Sequence, residues 1–89
     1  MRIARRYLIR GRVQGVGFRL FAEDAAAREG IQGWVRNRPD GGVEIAAEGD
    51  AESMTRFEQA IRHGPRNARV DRVDVDEDVP GGNHGFSIR

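Results

Sequence analysis

The chain of 89 residues carries 15 basic and 14 acidic side chains, for a formal net charge of +1, and it has no cysteine. That length supports one hydrophobic core, so residues 1–89 are read as a single domain. Disulfides, thiolate metal sites and a cysteine nucleophile are excluded, and the interspersed charges argue against a general nucleic-acid binder, which needs a concentrated basic face.

The start, Met1-Arg2-Ile3-Ala4-Arg5-Arg6, never reaches the apolar core of a signal peptide, and no apolar stretch approaches membrane-spanning length. A soluble cytoplasmic protein without a membrane partner is expected. All of its basic residues are arginine, a bias that genome composition alone can produce.

Arg5 to Val13 is the first strand candidate. Tyr7, Ile9 and Val13 share one parity and Arg6, Arg10 and Arg12 the other, which predicts one buried face and one largely wet face. Phe18, Phe21, Ala22 and Ala25 then recur at helical spacing, and Gly30 supplies a left-handed stop. Ile31 to Asn37 reads as a second strand. The turn signal Arg38-Pro39-Asp40-Gly41-Gly42 joins it to a third, Val43 to Gly49, as a hairpin.

Asp50 is a suitable N-cap for a second helix with Met54, Phe57, Ala60 and Ile61 as its apolar stripe, ended by Gly64-Pro65. A fourth strand follows around Val70 to Val75. There Val73 and Val75 face inward while Val70 is out of phase, which predicts a bulge or a later start. After the break at Pro80-Gly81-Gly82-Asn83, Phe86 and Ile88 mark a short last strand. The order βαββαβ plus that extra strand predicts an α+β, ferredoxin-like sandwich, with two helices on one face of a mainly antiparallel sheet.

Between the first strand and the first helix lies Gly11-Arg12-Val13-Gln14-Gly15-Val16-Gly17-Phe18-Arg19. Glycine lets a backbone take positive φ and approach a ligand closely, so such a loop can turn successive N–H groups inward as an anion nest. The helix behind it adds unpaired first-turn N–H groups and the positive end of its dipole. Arg19 falls in that first turn. A cation there is unfavourable alone and becomes favourable once an anion is bound. The stretch reads as a phosphate or carboxylate cradle beneath a guanidinium fork.

Taken singly, these signals are weak. A glycine-rich turn with a surface arginine, and Asn37 as a turn-former before Pro39, are the ordinary alternatives. A nucleotide-binding loop is excluded, because it needs a lysine that this chain lacks. His63 reads as a dipole partner at a helix end, His84 as a loop residue, and neither suggests a metal site. Asp76-Glu77-Asp78 reads as a solvated strand end, and Trp34 as a packing residue.

The glycine loop, followed by Gly30-Ile31-Gln32-Gly33-Trp34-Val35-Arg36-Asn37, resembles the signature pair of the acylphosphatases. The similarity continues through Asp40-Gly41, Val43-Glu44, Glu48-Gly49, Val70-Asp71 and Phe86-Ser87-Ile88-Arg89, and so spans essentially the whole chain. It implies hydrolysis of an acyl phosphate to a carboxylate and inorganic phosphate, without a metal or organic cofactor, on a ferredoxin-like fold. By position it makes Arg19 the phosphate-binding arginine, Asn37 the water-positioning residue, and the backbone of Gln14, Gly15, Val16, Gly17 and Phe18 the cradle. The departures are Arg38, where some members carry a hydroxyl residue, and the final residue, where others continue a little further.

Two other functions compete. Acylphosphatase-like domains also occur within larger carbamoyl-transferring maturation enzymes. A non-catalytic module of the same architecture could bind RNA or a small molecule, but an RNA reader needs exposed aromatics on its central strands, and Val43 to Glu48 has none. A monomer acting on a small-molecule acyl phosphate is the expectation.

Overall fold

A computed structural model describes all 89 residues. The elements are β1 (Arg2–Arg12), α1 (Phe18–Glu29), β2 (Gln32–Asn37), β3 (Val43–Asp50), α2 (Ala51–His63), β4 (Arg69–Asp78) and β5 (Phe86–Ile88). The sheet order is β4-β1-β3-β2-β5; β5 runs parallel to β2 and every other pairing is antiparallel. Both helices pack on one face, α1 over β2 and β5 and α2 over β1, β3 and β4, as the periodicity predicts.

β1 begins three residues before the predicted Arg5, because its pairing with β3 runs out to Arg2 opposite Asp50. The out-of-phase Val70 marks a bulge. Arg10 opposes Arg72 while Gly11 opposes Val70, so Asp71 is the extra residue and both flanking parities are preserved. Gly30 ends α1 in the left-handed conformation, and the Asp50 carboxylate caps α2 by accepting from the Glu52 N–H at 3.3 Å.

Tyr7, Ile9, Val13, Val35, Val43 and Ile45 on the sheet side meet Phe18, Ala22, Ala25, Ala26, Met54, Phe57 and Ile61 from the helices. Each fully buried large aliphatic or aromatic side chain contributes about 1.5–3 kcal/mol. Phe21, placed by its spacing in the apolar stripe, is only half-buried, and Ala26 takes its place in the core.

The opposite face of the sheet departs from expectation. β3 is buried on both sides, with Glu44 at 8% and Glu48 at 2% exposure, so the wet face predicted by alternation is covered. Its cover is long side chains. Glu44 accepts from Arg36 at 2.8 Å and Arg6 at 3.1 Å, and Glu48 from Arg2 at 3.1 Å, the Gly81 N–H at 3.0 Å and the Asn83 amide at 2.7 Å. Trp34 lies among the guanidiniums of Arg89, Arg6 and Arg36, with the nearest 4.7 Å from its ring centre. Burial pushes both carboxyls up, but the surrounding hydrogen bonds and arginine charges outweigh it and hold Glu44 and Glu48 below the ordinary carboxylate range.

Candidate active site

The chain leaves β1 at Arg12, crosses Val13 to Gly17 as an irregular loop, and enters α1 at Phe18. Gly15 and Gly17 both sit at positive φ, 74° and 77°, where a Cβ would be strained. Gly17 is the N-cap of α1 and brings no side-chain oxygen, and the first turn contains no acidic residue. The first-turn N–H groups and the positive dipole end thus meet no capping side chain and no acidic residue of their own turn.

Asn37 is the last residue of β2, in register with Val43 at the mouth of the hairpin turn. Its turn is closed by the Arg38 N–H to the Gly42 carbonyl at 2.8 Å and by the Asp40 carboxylate, which accepts from the Gly42 N–H at 3.0 Å and pairs with Arg10 at 2.9 Å. The Gly42 N–H, then Arg10 and Arg38, hold Asp40 well below the ordinary carboxylate range.

The fold brings the loop and the end of β2 together. A cavity of about 130 Å³ is lined by Val13, Gly15, Gly17, Phe18, Arg19, Leu20 and Asn37. Of the predicted site residues, Gly15, Gly17, Phe18, Arg19 and Asn37 line it; Gln14 and Val16 do not. Val16 packs against the core. Gln14 turns its side chain away, to the carbonyls of Arg38 at 2.7 Å and Gly42 at 2.9 Å.

Most arginines of the molecule pair with side-chain carboxylates, but Arg19 does not. Its one protein hydrogen bond goes from Nη1 to the main-chain oxygen of Arg89, the last residue of the sequence, at 3.3 Å, just beyond β5. A partly exposed guanidinium without a side-chain carboxylate partner, beside N–H groups that no side chain caps, has donors open to an oxyanion. Leu20, 62% exposed, adds an apolar edge to the cavity. Neither Leu20 nor the Arg89 main-chain oxygen was singled out by sequence. An apolar residue facing away from the helix stripe was the available signal for the first, and a contact spanning 70 residues gave none for the second. His63 and His84 are exposed and do not line this cavity, and no three His, Asp or Glu side chains converge in metal-binding geometry.

A ferredoxin-like sandwich with a glycine-rich loop opening a small cavity beside the end of β2 places the chain among small α+β domains. Within that class, the acylphosphatase family model matches residues 5–88. The chain is 51% identical over 76 residues to an acylphosphatase of Koribacter versatilis, covering 85% of this chain and 69% of that one. The crystal structure of the Bacillus subtilis acylphosphatase superposes with a TM-score of 0.94 at 41% identity, over 98% of both chains. The HypF structure from T. kodakarensis superposes at TM-score 0.86 and 34% identity, over 98% of this chain but only 12% of that one. The chain belongs to the acylphosphatase family, hydrolases of acyl phosphates.

Proposed function

We propose that this chain hydrolyses acyl phosphates through Arg19, the Gln14–Phe18 loop backbone and Asn37. The supporting observation is the shared cavity: Arg19 from α1, Gly15 and Gly17 from the loop and Asn37 from β2, 18 residues after Arg19, line one small space. In this reading the guanidinium and the loop N–H groups bind the phosphoryl oxygens. The Asn37 amide hydrogen-bonds one water in line with phosphorus.

Water attacks phosphorus, the bond from phosphorus to the acyl oxygen breaks, and the acyl group departs as a carboxylate. A carboxylate is a weak base and leaves without a strong general acid, so the chemistry needs positioning and charge stabilisation above all. The amide of Asn37 is too weak a base to hold the water's proton, which passes to a phosphoryl oxygen of the substrate. The products are the carboxylate and inorganic phosphate. We read the protein as a one-domain cytoplasmic monomer that works without metal or nucleic acid.

The test is hydrolysis of benzoyl phosphate or acetyl phosphate in excess EDTA. Arg19→Ala should abolish turnover and weaken competitive inhibition by inorganic phosphate. Asn37→Ala should lower kcat by roughly 10²-fold, as for loss of one transition-state hydrogen-bonding group, and change phosphate inhibition little. Full turnover by Asn37→Ala, or a requirement for a divalent metal, would break the mechanism.

A further inference from the structure

Gln14 is the residue of the loop whose side chain the mechanism leaves unused, and its contacts are unusually specific. The amide nitrogen reaches two main-chain carbonyls of the β2–β3 turn, Arg38 at 2.7 Å and Gly42 at 2.9 Å, across 24 and 28 residues of sequence. The orientation of the amide is fixed by chemistry, since its oxygen in that place would face two carbonyl oxygens.

Both carbonyls already have a partner within the turn. The Arg38 carbonyl accepts from the Gly41 N–H at 3.2 Å, and the Gly42 carbonyl from the Arg38 N–H at 2.8 Å. Gln14 therefore uses the second lone pair of each, and removing it orphans neither acceptor. The turn is also shaped independently, by Asp40 with Gly42 and Arg10. What the Gln14 amide adds is a link between two segments: the loop at Gly15 and Gly17, and the strand end immediately before Arg38, which is Asn37.

We propose that the Gln14 side chain is a positioning residue that fixes the Asn37 amide relative to the phosphate-binding loop. It thereby sets the distance between the bound phosphoryl group and the attacking water. The inference rests on the role given above to Asn37. A displacement of about 1 Å at a reacting centre can cost roughly 10²-fold in rate, so a link made by two hydrogen bonds has ample leverage on turnover.

The experiment is a double-mutant cycle in kcat for benzoyl phosphate hydrolysis, with thermal unfolding recorded for every variant. Gln14→Ala should lower kcat by about 10-fold or more in the native background and by less than about 2-fold in the Asn37→Ala background, since there is then no amide left to position. Inhibition by inorganic phosphate should change little. Equal losses in both backgrounds would overturn the proposal, as would a loss expressed in phosphate inhibition with kcat intact. If Asn37→Ala itself retained full turnover, the parent reading would have failed instead, and the two failures are thus separable.

Gln14→Glu supplies an independent readout. Its ionised carboxylate faces two carbonyl oxygens and should act worse than alanine. The same repulsion raises its pKa, and the protonated form regains one donor. Its kcat relative to the native protein should therefore climb as pH falls below about 6, while the ratio for Gln14→Ala stays flat. A flat kcat ratio for Gln14→Glu across that range, or a ratio that only follows the loss of folded protein in thermal unfolding at each pH, would sink the positioning role.

Discussion

Gly33→Ala tests how tightly β2 is held against β3, and so how Asn37 at the end of that strand is kept in place. Gly33 lies at φ 143°, and a Cβ built there falls 1.8 Å from the Ala46 carbonyl oxygen, 2.8 Å from its carbon and 3.1 Å from the Ala47 Cα. All three are backbone atoms of β3, so no side-chain rotation relieves the clash. β2 cannot retreat freely either, because the Gly33 N–H is bound to the Gly85 carbonyl at 2.8 Å and its other edge pairs with β5. Forcing an L-residue into this backbone region costs about 1–3 kcal/mol, and overpacking against a fixed neighbour about 1–3 kcal/mol more.

The expected loss is thus about 2–6 kcal/mol from a domain whose total stability is of order 5–15 kcal/mol. At about 4–8 °C per kcal/mol for this size, Tm should fall by roughly 8–48 °C. Gly41→Ala is the control: it shares a positive φ, 94°, but has open space around it, so it carries strain without a clash. It should cost about 1 kcal/mol. Urea unfolding followed by circular dichroism and by the fluorescence of the single tryptophan, Trp34, reports both. Equal midpoints for the two variants would refute the clash argument.

Three further outcomes follow from geometry already described. Glu44 and Glu48 have folded pKa values depressed below the ordinary 4.5, so their contribution is complete above about that pH and is lost as pH falls through the lowered values. Urea midpoints should be flat from neutral pH to about 5 and decline below it, and Glu48→Gln should flatten the decline. Tyr7→Phe should cost only about 1 kcal/mol, since Glu58 keeps Arg5 and Arg62, whereas Glu58→Met should cost about 2–3 kcal/mol because it orphans the buried hydroxyl. Arg19→Lys should keep the charge but lose the fork, so phosphate inhibition should weaken and kcat should drop by about 10-fold or more, measured with benzoyl phosphate.

The core side of the sheet was legible because its periodicity is local. Tyr7 and Ile9, then Val43 and Ile45, alternate in step, and the parity break at Val70 announced a bulge that the pairing confirms. The open face was not legible, since nothing adjacent to Glu44 or Glu48 says that Arg2, Arg6, Arg36 and Asn83 will cover them from 8 to 46 residues away along the chain. The glycine loop and Arg19 could be read as an anion site from local chemistry. Asn37 could not, because strand ends before Pro39 carry asparagine for turn reasons alone, and only the paired motif singled it out. The side chain of Gln14 escaped notice for a simpler reason: its partners are backbone carbonyls, which leave no mark in a sequence.

Every permanent cation that covers the open face and faces the cavity is a guanidinium, and no side chain among the 89 residues is an amine or a thiol. An acyl phosphate is an activated acyl donor, and amines and thiolates are the nucleophiles it acylates most readily. Guanidinium, protonated up to very high pH, has no free electron pair to offer. The fold can therefore stand in its own substrate without accumulating acyl groups on its charged face. Had lysines carried the ion pairs to Glu44 and Glu48, each acylation would have erased a positive charge beside a buried carboxylate.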